Sequence, residues 1–260
     1  MISCAFADHL VSKDIAMDSR GIIIQARLGA SRFPGKIAAK ITADQNLLEF
    51  MTAPLAVVGL PVVIAFPDTL EHHAFSKTLK LPGVHFSFAD ENDVLQRFIT
   101  TADLFGFSDV VRVCADNPCL NIGFLKALIA EWKPGMDHLT YYTRSGTPAP
   151  KTHYGLFAEM VSLEAMKKVS QLTSLSYFHE HVTPYFYEHQ DVFNIGKIDM
   201  PEPFWSGVPI RLTVDMPEDL DAIQELMKLT EISDIRRLVA CCAREEIRAG
   251  MENRIKMNTK

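Results

Sequence analysis

The feature that most constrains this chain is an alternation. Short apolar runs, GIIIQA (21–26), PVVIAF (61–66), VHFSFA (84–89) and DVVRVCA (109–115), are separated by stretches of helix length at about 46–59, 69–80 and 91–105. A strand that is apolar at nearly every position, rather than at every second one, has to be covered on both faces. Helix-length connections supply that cover and leave the strands parallel. The pattern predicts an α/β fold with a parallel sheet covered on both faces.

The second half is less regular. Residues 121–131 read as a helix, HLTYYT (138–143) as a strand and TRSGTPAPKT (143–152) as a loop. YGLFAEMVS (154–162) reads as extended, 162–171 as helical and 177–188 as a helix start. VPIRLTV (208–214) reads as a late strand, followed by helices at 216–229 and 233–249. Residues 1–20 lack periodicity and are read as a poorly ordered extension, with Met17 an alternative start. A single domain is expected over 21–260.

Two charge observations narrow the function. The formal net charge is −6, whereas a bulk nucleic-acid binder is usually basic, so no nucleic-acid partner is expected. Yet the loop after the first strand, ARLGASRFPGK (26–36), holds three cations and two glycines. A local cationic spot on an acidic protein suits a small anion. No apolar run reaches the length of a membrane span, and the first twenty residues do not read as a secretory signal. The five cysteines are scattered, and Cys114 and Cys119 lack the spacing of a zinc knuckle. Reduced thiols and a cytoplasmic location are expected.

In a parallel α/β sheet, ligands sit beyond the carboxyl ends of the strands, where this loop would lie. Its glycines let the backbone approach a ligand, while Arg27 and Arg32 offer planar forks and Lys36 a point charge for phosphates. It is not a Walker loop: Gly29 and Gly35 are separated by five residues, and Ile37 stands where a magnesium-binding hydroxyl belongs. A solvated turn with surface cations is the plain alternative. Two further runs end in Asp116-Asn117-Pro118 and Asp215-Met216-Pro217. Two carboxylates at that edge could hold Mg²⁺ together with substrate phosphates, or could cap the helices that follow. His72-His73 reads as a solvated helix start.

Together the segments IIQARLGASRFPGK, ENDVLQRF, DVVRVCADNP, HEHVTPYF and RLTVDMPEDLDAI resemble, in order, the signature segments of the SpsF-like cytidylyltransferases, relatives of the CMP-Kdo and CMP-sialic acid synthetases. The resemblance implies a Rossmann-like nucleotide-diphospho-sugar transferase fold, an α/β three-layer sandwich with a mixed, mostly parallel sheet. It implies transfer of CMP from CTP to a sugar, sugar acid or sugar phosphate with release of pyrophosphate, in glycan or surface polysaccharide biosynthesis. It assigns nucleotide contacts to Gln25, Ala26, Arg27, Gly29, Ser31, Arg32, Lys36, Asp93 and Arg97. It implies that Arg27 and Lys36 act in catalysis with Asp116 and Asp215, and that these two aspartates hold Mg²⁺. It places Glu159 and His181 on the sugar side and implies a homodimer formed through the region about 138–207. Phe157 stands where the family usually has Asp. A weakened relative that binds a nucleotide without transferring it, and a plain Rossmann-type module, are the competing readings.

Overall fold

The computed structural model describes residues 19–258. The first strand, β1 (Arg20–Gln25), shows why the sheet is covered twice. Ile22 and Ile24 enter one apolar core, Ile23 enters the other, and all three are fully buried. Strand geometry sends successive side chains to opposite faces, so an all-apolar strand needs helices on both.

Six further strands complete the sheet: β2 (Val62–Pro67), β3 (Val84–Ala89), β4 (Asp109–Cys114), β5 (His138–Tyr142), β6 (Glu159–Ser162) and β7 (Ile195–Asp199). The order is β3-β2-β1-β4-β6-β5-β7. β6 runs antiparallel to both its neighbours, and the other pairs are parallel. The sheet is therefore mixed and mostly parallel.

One face is packed by α1 (Leu47–Thr52), α4 (Ile122–Glu131), α8 (Pro217–Leu229), α9 (Ile235–Cys242) and α10 (Glu245–Met257). The other carries α3 (Val94–Phe105), α5 (Leu163–Leu172) and α7 (Pro184–Glu188). Two short helices, α2 (Leu70–Ser76) and α6 (Ser176–His181), flank the carboxyl edge of the sheet. No helix among the described residues is long and apolar enough to cross a membrane. No disulfide joins the described cysteines.

Several elements differ from the sequence expectation. VPIRLTV is buried throughout 210–214 but is not a strand of the sheet. It is tied at Leu212 N–H to the His153 carbonyl (2.9 Å) and at Val214 N–H to the Asp116 carbonyl (2.8 Å). Gly155 permits this approach: a Cβ there would lie 2.7 Å from the Leu212 carbonyl carbon, and its φ is +62°. Strand β7 is unannounced in the sequence because it is a polar edge strand interrupted by Gly196. The 46–59 stretch is α-helical only to Thr52, since Pro54 has no N–H to continue the ladder and a 3-10 turn follows. The 233–249 stretch is two helices, divided at 243–244.

The 177–188 segment breaks at Val182, with φ 69° and ψ −56°. Thr183 N–H donates to the His181 carbonyl at 2.8 Å, closing a γ-turn of the strained, positive-φ kind. A β-branched residue there costs about 1–3 kcal/mol. The turn sends His181 and Thr183 into adjoining parts of the candidate site.

Candidate active site

The loop after β1 is folded by its own backbone and by a histidine from α2. Gly35 N–H donates to the Leu28 carbonyl at 2.8 Å, and Gly35 takes a left-handed φ of 71° that favours glycine. Leu28 N–H donates to His72 Nε2 at 3.0 Å, while His72 Nδ1 lies 2.6 Å from the Thr69 hydroxyl. A ring nitrogen that accepts from an amide carries no proton, so His72 is neutral with its proton on Nδ1. Burial lowers its pKa below 6.5, in agreement with that state. His72 is thus a buried loop holder rather than a solvated helix start.

The closed loop presents Arg27, Ser31, Arg32 and Lys36 to a cleft of about 230 Å³ that also contains Gln25, Asp116, His181 and Asp215. Arg32 Nη2 lies 3.0 Å from Asp215 Oδ1. Lys36 Nζ donates to the Val214 carbonyl at 2.8 Å and lies 3.8 Å from Asp116 Oδ2. Arg27 reaches across to Glu180 on α6 at 3.1 Å. The cations and the carboxylates therefore face one another in one cleft.

Neither aspartate's carboxylate is the cap of the helix that follows. Asn121 caps α4 through Phe124 N–H, and Asp219 Oδ2 accepts from Met216 N–H and Asp215 N–H at the start of α8. Asp215 is oriented instead by Arg211, whose Nη2 lies 2.9 Å from Asp215 Oδ2. Arg211 also grips both oxygens of Asp219 at 2.7 Å and is 1% exposed. Burial opposes its charge, but the bonds to Asp219 outweigh that and raise its pKa.

A second cavity of about 480 Å³ adjoins the cleft, shares Arg32, Asp116, His181 and Asp215 with it, and extends to Lys151, Phe157 and Tyr187. Its floor is a buried network centred on Glu159. Arg112 Nη1 donates to Glu159 at 2.6 Å, His138 Nε2 lies 2.9 Å away, Thr183 donates at 3.0 Å, and the Tyr187 hydroxyl donates as well. Burial alone would raise the Glu159 carboxyl, but the His138 bond and the Arg112 charge hold its pKa at about 2. Arg112 Nη2 also donates to Gln25 at 3.2 Å, which links this network to the end of β1. Phe157 stacks on Phe124 with ring centres 4.9 Å apart and joins Tyr141, Tyr154 and Phe204 in an aromatic wall.

The family model for the cytidylyltransferases matches residues 21–250, most of the described chain. The chain belongs to the cytidylyltransferase family. It is 28% identical over 217 residues to the spore coat polysaccharide biosynthesis protein SpsF of Bacillus subtilis, covering 78% of this chain and 84% of that one. A cytidylyltransferase from Leptospira borgpetersenii has the same fold, with a TM-score of 0.73, 22% identity, and 93% and 95% of the two chains covered. So has a CMP:2-keto-3-deoxy-manno-octonic acid synthetase complexed with CTP, with a TM-score of 0.60, 15% identity, and 80% and 98% covered.

Not every site residue expected from the sequence reaches the cavities of this cytidylyltransferase. Ala26 is buried under the loop, and Gly29 lines neither cavity. Asp93 caps α3 at Gln96 N–H and bonds His179 Nδ1 at 2.6 Å, clamping α6 to α3. Arg97 is fully buried on α3 and donates to the Asp90 carbonyl at 2.6 Å; burial, then Arg27, lowers its pKa to about 10. Conversely, Arg112, Arg211, His72 and Glu180 were not expected. Arg112 and Arg211 carried a visible signal, a lone arginine inside an apolar run.

The His72 bond makes a pH dependence. A histidine whose folded pKa is depressed contributes stability that is present above 6.5 and is lost as pH falls toward the folded value. Protonation of Nε2 would set two donors face to face at Leu28. Wild type is expected to lose more stability between pH 7 and pH 5 than His72→Gln, whose amide oxygen can accept from Leu28 at any pH. Parallel urea-denaturation profiles for the two proteins would refute this role for His72.

Proposed function

We propose that this cytidylyltransferase transfers CMP from CTP to a sugar, sugar acid or sugar phosphate and releases pyrophosphate, for glycan or surface polysaccharide biosynthesis. The observation that carries the reading is one cleft in which Arg27, Arg32 and Lys36 face Asp116 and Asp215, with a second cavity opening from it. The first space takes the triphosphate and the second the acceptor. The SpsF relative and the CTP-bound synthetase support the choice of nucleotide and acceptor class.

In this scheme an acceptor oxygen attacks the α-phosphorus, and the bond to the pyrophosphate oxygen breaks in line. Protein chemistry is then mostly positioning and charge neutralisation. Arg27, Arg32 and Lys36 exchange their carboxylate partners for phosphate oxygens and stabilise the departing pyrophosphate. His181, aimed by the Val182 turn, contacts the acceptor. The Phe157 wall offers it an apolar face and leaves the charged cleft intact, which favours transfer over a binding-only relative.

Asp116 and Asp215 suit Mg²⁺. Both line the same cleft and offer hard carboxylate oxygens, and substrate phosphates and waters would complete the shell. When bound there, the ion supplies Lewis-acid stabilisation of phosphoryl charge. A single domain over 21–260, a homodimer through about 138–207 and a cytoplasmic location complete the reading.

The test is thermal unfolding with CTP, UTP, GTP and ATP, each with and without Mg²⁺. A nucleotide at a hundred times its dissociation constant stabilises by about 2.7 kcal/mol, a shift of roughly 5–10 °C for a chain of this size. The expected result is a Mg²⁺-dependent shift with CTP, followed by pyrophosphate release when a sugar acid or sugar phosphate is added. No shift with any nucleotide overturns the reading.

A further inference from the structure

The last described helix, α10, touches the candidate site at three points. Met251 Sδ accepts from Arg211 N–H at 3.2 Å, and Met251 is 1% exposed. Arg254 Nε lies 3.7 Å from Asp219 Oδ1. Asn258, which follows the helix as its C-cap, accepts from Arg32 Nη1 at 2.9 Å. Residues 251, 254 and 258 follow the spacing that puts side chains on one helical face. These residues lie beyond the 21–250 segment that the family model matches.

We propose that Asn258 is a positioning residue for the nucleotide loop, acting through Arg32. The proposal rests on the reading of that loop as a triphosphate site. The Arg32 side chain is 53% exposed, so without anchors it would sample many rotamers, and binding would have to restrict them. It has two anchors on different nitrogens: Asp215 holds Nη2 and Asn258 holds Nη1. The guanidinium can therefore release Asp215 to a phosphate oxygen while Nη1 stays on Asn258. A neutral amide oxygen suits this role, because it orients the cation without competing for its charge.

The amide is itself oriented. Asn258 Nδ2 donates to the Arg254 carbonyl at 3.1 Å, which turns Oδ1 toward Arg32. Asn258 N–H donates to the Ile255 carbonyl at 3.2 Å. Met251 seats the same helix face against Arg211, which in turn orients Asp215. The loop cation and the carboxylate it faces are thus referenced to one helix.

The experiment is calorimetric titration of CTP with Mg²⁺ into wild type, Asn258→Ala, Asn258→Ser, Arg32→Ala and the Arg32→Ala/Asn258→Ala double variant. Loss of one hydrogen bond to a half-exposed cation is expected to weaken CTP binding about fivefold in Asn258→Ala. Serine, too short to reach Arg32, gives the same loss. In the Arg32→Ala background, Asn258→Ala has no further effect, which a merely structural role for the helix end would not produce. Equal affinities in wild type and Asn258→Ala overturn the proposal, as does an undiminished effect without Arg32. A wild type that binds no CTP overturns the nucleotide reading, and this proposal with it.

Discussion

Asp116→Asn and Asp215→Asn are each expected to slow the proposed CMP transfer by about a thousandfold, a barrier increase of ~4 kcal/mol, with melting temperatures that stay within a few degrees of wild type. The reason is the separation of charge from fold in this cleft. The helices that follow the two aspartates are capped by Asn121 and Asp219, so amidation at 116 or 215 removes neither cap. At 215 the asparagine still offers an oxygen to Arg211, which keeps both bonds to Asp219. What disappears is negative charge where the proposed chemistry needs a metal-holding carboxylate. Steady-state kinetics under saturating Mg²⁺, with calorimetric melting of the same samples, separates the two effects. Turnover within tenfold of wild type in both variants would remove the carboxylates from the mechanism.

The parts of this site that were legible in the sequence are the local ones. GIIIQA and DVVRVCA are β-branched and apolar, and they end in a glycine-rich loop and an Asp-Asn-Pro turn, so their strands and the shared edge follow from periodicity and punctuation. Asp116 and Asp215 were visible for that reason. VPIRLTV looked the same and is not a strand, because it is buried by packing across strand ends rather than by a ladder. Its pattern reports burial, and burial alone does not choose the partner. β7 failed in the opposite direction: an edge strand faces solvent and loses the apolar signature.

The illegible parts are pairings over long separations. His72 and His73 are neighbours with opposite fates, one 4% exposed and holding Leu28, the other half-exposed and bonded to Asp68. Helical geometry points adjacent side chains about 100° apart, and no local rule says which one meets the loop. Arg32 finds Asn258 across 226 positions. The two interior arginines were readable as anomalies, since an arginine inside an apolar run is costly to bury unless it is paired. Their sequence context could not name the partners.

Glu159→Gln is the second large expected effect, and it falls on stability. Arg112 and Glu159 face each other across β4 and β6, both almost fully buried. Removing one charge of such a pair leaves the other buried without compensation, which costs about 3–5 kcal/mol. For a chain of this length the melting temperature should fall by roughly 10 °C. The double replacement Arg112→Met/Glu159→Leu recovers part of the loss, because the desolvated charge goes with its partner. It does not recover all of it, because His138, Thr183 and Tyr187 still lose their acceptor. The same pair sets the acid limit. The Glu159 pKa is held at about 2 in the fold against an ordinary value of 4.5, so its contribution is present above pH 4.5 and disappears as pH falls toward 2. That window carries about 3 kcal/mol in wild type and is absent in Glu159→Gln. Urea midpoints measured at pH 7 and pH 3.5 decide the matter. If Glu159→Gln matches wild type at pH 7, the network does not hold the sheet together at β4 and β6. If it is weaker at pH 7 and the gap narrows at pH 3.5, the ionised carboxylate fixes the floor on which the acceptor would rest.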